Sequence, residues 1–194
     1  DYQGYDKVNL SCASGTGVKT LELLHQDLCD LVVTIDTKGH YADFNRYCNL
    51  FHLEYRDVAE ASFSVQLSRN HPLLRETPFD FAKLKNYPYV AYTDGNGGNL
   101  NWTPWSSVVN PDKLIRVQSI ASRISLVANT NAFSLVFPHS RAYNEANGVV
   151  TVPLPFDPLI LGYIYSRDRG LGEAGEAYVR HLKERIREHF GEDG

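Results

Sequence analysis

Phe63-Ser64-Val65-Gln66-Leu67-Ser68-Arg69-Asn70, followed by His71-Pro72-Leu73-Leu74, is the stretch whose reading decides the fold. Phe63, Val65 and Leu67 alternate with Ser64, Gln66 and Ser68, the period-two pattern of a strand with one buried face. Pro72 lacks a backbone N–H, so the ladder stops there. A second strand-like run, Leu161-Gly162-Tyr163-Ile164-Tyr165-Ser166-Arg167, lies far down the chain, before the last helix. Taken as antiparallel crossings, the two runs divide the chain into two lobes. One is expected to comprise residues 1–65 with 155–194, the other residues 66–154, with a cleft between them.

Outward from the first crossing, Val8-Asn9-Leu10-Ser11-Cys12-Ala13 alternates like a strand, and Thr16 is placed to cap a helix from Val18 to Gln26. Leu21, Leu24 and Leu28 fall on one face of that helix. Leu31-Val32-Val33-Thr34-Ile35 is a near-continuous apolar run, as in a strand buried on both faces. Strand–helix–strand of this kind implies a parallel βαβ unit. Residues 36–50 read as polar and aromatic loop.

In the middle of the chain, Phe79–Leu84 reads as a short helix and Tyr89–Thr93 as a strand. Ile115–Gln118 is a strand, with Ser119 as N-cap of a helix through Ala128. Phe133–Phe137 is a strand ended by Pro138, His139–Ala146 a short helix stopped by Asn147-Gly148, and Val149–Val152 a strand. The last helix, Glu173–Phe190, carries Val179, Leu182 and Ile186 on one face and runs from acidic to basic. Alternating strands and helices make the fold α/β.

Composition narrows the function. A net charge of −4 argues against a nucleic-acid-binding surface in these 194 residues. Apolar runs are too short to span a bilayer, no secretory leader opens the chain, and a cytoplasmic location is expected. Cys12, Cys29 and Cys48 form no CxxC unit, so reduced thiols rather than a zinc site are expected. The seven histidines form no HExxH or HxH pair, and no GxSxG elbow occurs. Gly95-Asn96-Gly97-Gly98 lacks the lysine of a phosphate-binding loop and reads as a strand-end turn. Trp102 and Trp105, three apart, read as packing residues. No catalytic group, no metal site and no cofactor is expected.

What remains are hydroxyl and amide groups at strand ends. Thr16 follows the first strand, Thr34 and Asp36 end the second, and Tyr92, Thr93 and Asp94 end the first strand of the middle lobe. Ligands of open α/β sheets sit outside the carboxyl ends of strands, beside helix N-termini. Neutral donors there bind a small molecule without reacting with it.

The order of these segments resembles the effector-binding domain of LysR-type transcriptional regulators. Leu23-Leu24-His25-Gln26-Asp27-Leu28-Cys29-Asp30-Leu31 is similar to the family's L-L-x-x-G-x-L-D-L, with Asp27 for glycine and Cys29 for leucine. Gly15-Thr16 stands where the family carries an effector-touching Gly-Ser or Gly-Thr. His71-Pro72-Leu73, Phe81-Ala82-Lys83-Leu84 with Pro88, Val117-Gln118-Ser119 with Leu126-Val127-Ala128, and Val136-Phe137-Pro138 match further family segments. Asn129-Thr130-Asn131-Ala132 replaces the family's Gly-x-Gly on the cleft wall of the middle lobe. The resemblance implies a two-lobe, periplasmic-binding-protein-like (type II) fold of two α/β sandwich lobes. The family's opening strand and helix would precede residue 5, and its helix-turn-helix DNA-binding domain would precede those. A small polar or anionic effector is expected in the cleft, at Ser14, Thr16, Thr34, Asp36, Tyr92, Thr93, Asp94 and Phe137. A homodimer or higher oligomer, DNA contact only through the absent domain, and no membrane partner complete the expectation. The alternative is a transporter's solute-binding protein on the same fold; an upstream helix-turn-helix or a signal peptide distinguishes the two.

Overall fold

A computed structural model describes residues 9–12, 17–37, 41–93, 108–110, 112–155 and 158–191. In chain order the elements are α1 (Gly17–His25), β1 (Leu31–Thr37), α2 (Tyr41–Leu50), β2 (Leu53–Ala61) and β3 (Ser64–Ser68). Two 3-10 segments, Pro72–Arg75 and Phe81–Asn86, precede β4 (Tyr89–Tyr92) and β5 (Leu114–Val117). Then come α3 (Ile120–Asn129), β6 (Phe133–Val136), α4 (Arg141–Asn147), β7 (Val149–Pro153), β8 (Leu159–Ser166) and α5 (Glu173–Gly191).

The strands form two sheets, giving the expected two-lobe α/β architecture. One has three strands in the order β1-β8-β2, with both neighbours antiparallel to β8. The other has five in the order β5-β4-β6-β3-β7. In it β4 runs parallel to β5 and β6, whereas β3 runs antiparallel to β6 and β7.

The crossings lie beside the two quoted runs rather than within them. β3 and β8 are inner strands of different sheets, and the chain changes sheet at residues 62–63 and 154–158. Pro153, Pro155 and Pro158 cluster at the second crossing, and prolines there cannot extend either ladder. The crossings are bonded to each other: Leu154 N–H donates to the Phe63 carbonyl at 2.7 Å. Ala61 pairs with Leu159 on one side of that bond and Ser64 with Pro153 on the other.

Several local expectations need correction. All five positions of β3 are buried, not one face, because α3 covers the face that carries Ser64, Gln66 and Ser68. β1 is an antiparallel edge strand rather than half of a parallel βαβ unit, and Val33 and Ile35 are each 39% exposed. Residues 9–12 form no strand and are exposed. An apolar run states what prefers burial, not what is available to cover it. Leu28 is 67% exposed because α1 ends at His25 and Asp27 takes a left-handed φ of 57°. Within 36–50, α2 occupies Tyr41–Leu50 where a loop was expected, and it buries Cys48. β2 escapes detection because a bulge between Asp57 and Ala59 breaks its alternation.

The middle lobe follows its sequence signals closely. Ser119 caps α3, accepting from the Ser122 N–H at 3.4 Å. Gly148 ends α4 at φ 69°, a conformation glycine adopts without a Cβ penalty. The largest core packs Phe63, Val65, Leu67, Leu73, Leu84, Phe133 and Leu135 on one face of the five-stranded sheet. Val90, Val127, Ala132 and Val149 form a smaller core under α3. In the other lobe Leu21, Leu24, Val32, Cys48, Leu53 and Ile164 pack together.

Gly162 in β8 yields the first testable consequence. A Cβ at this position would overlap the Tyr55 ring lying across it. Gly162→Ala should therefore cost about 1–3 kcal/mol by overpacking. The check is the urea midpoint: an unchanged value would show that the Tyr55 ring swings aside freely.

Candidate functional site

The parallel strands β4, β5 and β6 end on one edge of the five-stranded sheet. Tyr89 pairs with Phe133, so four residues further on Thr93 and Phe137 stand level just beyond their strands. Thr93 N–H donates to the Val117 carbonyl at 2.8 Å, which extends the β4–β5 ladder by one bond. Ser64, at the start of β3, pairs with Val136 and Pro153 on the same edge. Ser119 follows β5 and starts α3 there. Ser64 and Thr93 are buried, and Phe137 is half-buried against the main core.

The three-stranded sheet turns an edge towards the same crossing. Thr37 of β1 and Ala61 of β2 both pair with Leu159, the first residue of β8. The turn after α1 reverses the chain, so the N-terminal end of α1 lies level with the C-terminal half of β1. Val32 is buried in the core beneath α1. Thr34, two residues on, shares that face and is half-buried. The five-stranded sheet thus brings the N-terminus of α3 and Thr93 to the crossing edge, while Thr34 lies opposite Gly162, three residues before the Thr37–Leu159 pair. Free N–H groups and hydroxyls at such an edge suit an oxygen-bearing ligand.

Of the expected residues, Tyr92, Thr93 and Phe137 lie at the crossing edge of the five-stranded sheet, whereas Thr34, expected at a strand end, lies at the middle of β1 opposite Gly162. Asp36 belongs to β1, opposite Ile160. Ser14, Thr16 and Asp94 lie outside the described residues, as do the glycine-rich turn at 95–98 and both tryptophans. Ser64 was not foreseen as part of this edge; its only sequence signal is a serine opening an alternating strand. Asn129–Ala132 is not a wall of this edge. It follows α3 at the far end, where Ser68 Oγ donates to the Ala128 carbonyl at 2.9 Å. There Thr130 Oγ1 donates to the Leu126 carbonyl at 2.6 Å and accepts from Ala132 N–H at 3.0 Å. Side-chain bonds thus close a helix end that the family closes with glycine.

Several other polar groups read as structural. His71 is buried, with Nδ1 accepting from Leu73 N–H at 3.2 Å and Nε2 3.1 Å from the Asn131 carbonyl. That pattern requires the neutral ring protonated on Nε2. Burial pushes the Cys48 thiol up to about 11 and also raises Cys29, so neither is a thiolate nucleophile at neutral pH. Among the described residues no group of three His, Cys, Asp or Glu side chains could hold a metal ion. No described helix is long and apolar enough to cross a membrane. An open surface groove lined by Glu76, Thr77, Pro78, Phe79, Asp80 and Lys83 lies outside the crossing edge, and its lysine is paired with Glu76 at 2.8 Å.

Comparison with known proteins fits this geometry. No curated protein matches the chain. Among solved structures it is similar to a probable transcriptional regulator from Pseudomonas aeruginosa, with TM-score 0.61 and 17% identity, over 90% of this chain and 55% of that one. The chain therefore spans about half the length of that regulator. The C-terminal domain of a probable LysR family regulator from Rhodococcus sp. RHA1 superposes with TM-score 0.65 and 15% identity, over 93% and 87% of the two chains. The effector binding domain of QuiR in complex with shikimate gives TM-score 0.60 and 15% identity, over 88% and 78%. The family model for the LysR substrate binding domain matches residues 2–187, and the chain belongs to that family.

Proposed function

We propose that this chain is the effector-sensing domain of a bacterial, cytoplasmic LysR-type transcription regulator. It binds and does not catalyse. The lobes divide at roughly 1–65 with 155–194, and 66–154, and the effector sits between them. The observation that carries this reading is the convergence of strand ends from both sheets at one hydrogen-bonded crossing. The ligand class is a small polar or anionic molecule, held by Thr34, Tyr92, Thr93 and neighbouring backbone N–H groups, with Phe137 as apolar floor. Ser14, Thr16, Asp36 and Asp94 belong to the same proposed set. The ligand acts by binding one arrangement of the lobes better than another, which is the only way it can shift their balance. The domain assembles as a homodimer, and attached DNA-binding domains report the change. A mass by light scattering that stays monomeric at every concentration would count against the dimer.

A thermal-shift screen of small hydroxylated carboxylates, shikimate included, supplies the test ligand. Each hydroxyl contact is worth about 0.5–1.5 kcal/mol net. Thr93→Val should therefore weaken calorimetric binding of a hit by up to about tenfold without changing the fold. Equal affinity of the parent, Thr34→Val and Thr93→Val for that hit would remove this cleft assignment.

A further inference from the structure

Beneath α3 the five-stranded sheet carries polar side chains with no partner. Gln66, at the middle of β3, is 0% exposed, yet neither its Oε1 nor its Nε2 has a hydrogen-bond partner. In register it stands between Ser134 of β6 and Thr151 of β7. The Ser134 hydroxyl is already committed to the Val90 carbonyl at 2.9 Å. Asn144 of α4 sits on the Thr151 side, its Nδ2 donating to Thr151 Oγ1 at 3.1 Å and to the His139 carbonyl at 3.3 Å. Those two bonds fix its amide, and leave the buried Oδ1 without a partner.

The third member is Arg123 of α3. α3 returns across the sheet parallel to β3, because both run antiparallel to β4. Ser68 touches Ala128. Five helical residues back from Ala128 span about 7.5 Å, and two strand residues back from Ser68 about 6.6 Å. Arg123 therefore stands level with Gln66. It lies one turn before the fully buried Val127, on the covered side of the helix. Its Nε is buried without a partner, and no ion pair among the described residues includes it. Tyr89 of β4 and Tyr143 of α4 are both close enough to act on it electrostatically.

A half-buried guanidinium with no carboxylate partner among the described residues is costly, and buried cations in folded proteins are paired. A fully buried amide with both ends unmet adds to that cost. The geometry points to an oxyanion subsite in the seam between α3 and α4, where Arg123 Nε and Gln66 Nε2 donate to a carboxylate-sized group. The second hydrogen of Gln66 Nε2 turns towards Asn144 Oδ1. Neither Arg123 nor Gln66 belongs to the strand-end set, so the subsite is distinct from the proposed threonine contacts. Because α3 and α4 both begin at the crossing edge, the seam runs towards that edge, the side from which an acidic arm of a cleft ligand would enter.

The probe is formate, compared with chloride at equal ionic strength and constant pH, on the full chain. Expected is a saturable rise in the thermal midpoint with formate beyond that with chloride. Arg123→Met should weaken apparent formate affinity about tenfold or more, and Gln66→Leu should weaken it measurably. Arg123→Lys should restore part of it, and circular dichroism checks that each variant is folded. Thr93→Val should leave the formate response intact, so failure here and failure of the cleft reading give different results. No formate-specific rise, or a rise that persists in folded Arg123→Met, overturns the subsite. Crystals grown in formate with only water in the seam would overturn it as well.

Discussion

Phe133→Ala should lower the stability of this domain by about 3–5 kcal/mol, the range for removing a fully buried aromatic ring. Phe133 is the largest side chain with no exposure, and it sits on β6 at the centre of the five-stranded sheet. It pairs with Leu67 of β3 on one side and Tyr89 of β4 on the other. Its ring lies 5.4 Å from that of Tyr89, between neighbours held by hydrogen-bonded strands. Such walls cannot close over the hole that alanine leaves, so the cavity cost adds to the lost transfer energy. Urea unfolding followed by far-UV circular dichroism reads the effect. Phe133→Leu, which keeps most of the volume, should lose less than half as much. A loss below about 1 kcal/mol for Phe133→Ala would mean that the core collapses around the site.

His71→Ala should be the next most damaging change, through hydrogen bonding as much as packing. The ring joins the turn after β3 to the loop after α3, bonding Leu73 N–H and the Asn131 carbonyl while packing edge-on against Tyr87 at 4.5 Å. Alanine leaves that donor and that acceptor unmet, at about 1–3 kcal/mol for each group that water does not reach. Burial is the main cause holding the imidazole below its usual 6.5, and outweighs the opposing bond to the Asn131 carbonyl. With the folded value depressed, the unfolded chain binds its proton first as pH falls. The contribution of His71 is therefore full above about 6.5 and declines as pH drops from there towards the folded value. Stability measured between pH 8 and 5 should fall more steeply for the parent than for His71→Ala. Parallel curves would show that His71 titrates alike in both states.

The resemblance to LysR effector domains was legible because its marks are local. His71-Pro72-Leu73 is a capped 3-10 turn and Ser119 an N-cap; Gly148, outside the resemblance, is legible in the same way as a left-handed helix stop. Each works through its own backbone and near neighbours, so the residue type alone announces it. Thr93 was legible as a strand-end residue because it directly follows Tyr89–Tyr92, whereas Thr34 and Asp36, expected at the end of the second strand, lie within β1.

Other properties depend on partners far away in sequence. Leu31–Ile35 is apolar enough for a strand covered on both sides, but β1 pairs only with β8 and leaves Val33 and Ile35 half open. β3 looks one-faced, yet α3, some sixty residues later, covers its polar face and buries Gln66. The position of the crossings is settled by one bond between Leu154 and Phe63, residues that no local pattern connects. Arg123 reads as an ordinary helix charge until the register of α3 on β3 sets it level with that glutamine. The sequence by itself determined the element types of the middle lobe, its caps and the family, since these rest on intrinsic backbone preference and short-range periodicity. Which faces are covered, where the chain changes sheet and which polar groups meet were decided by long-range pairing, because burial belongs to an assembled surface and not to a residue.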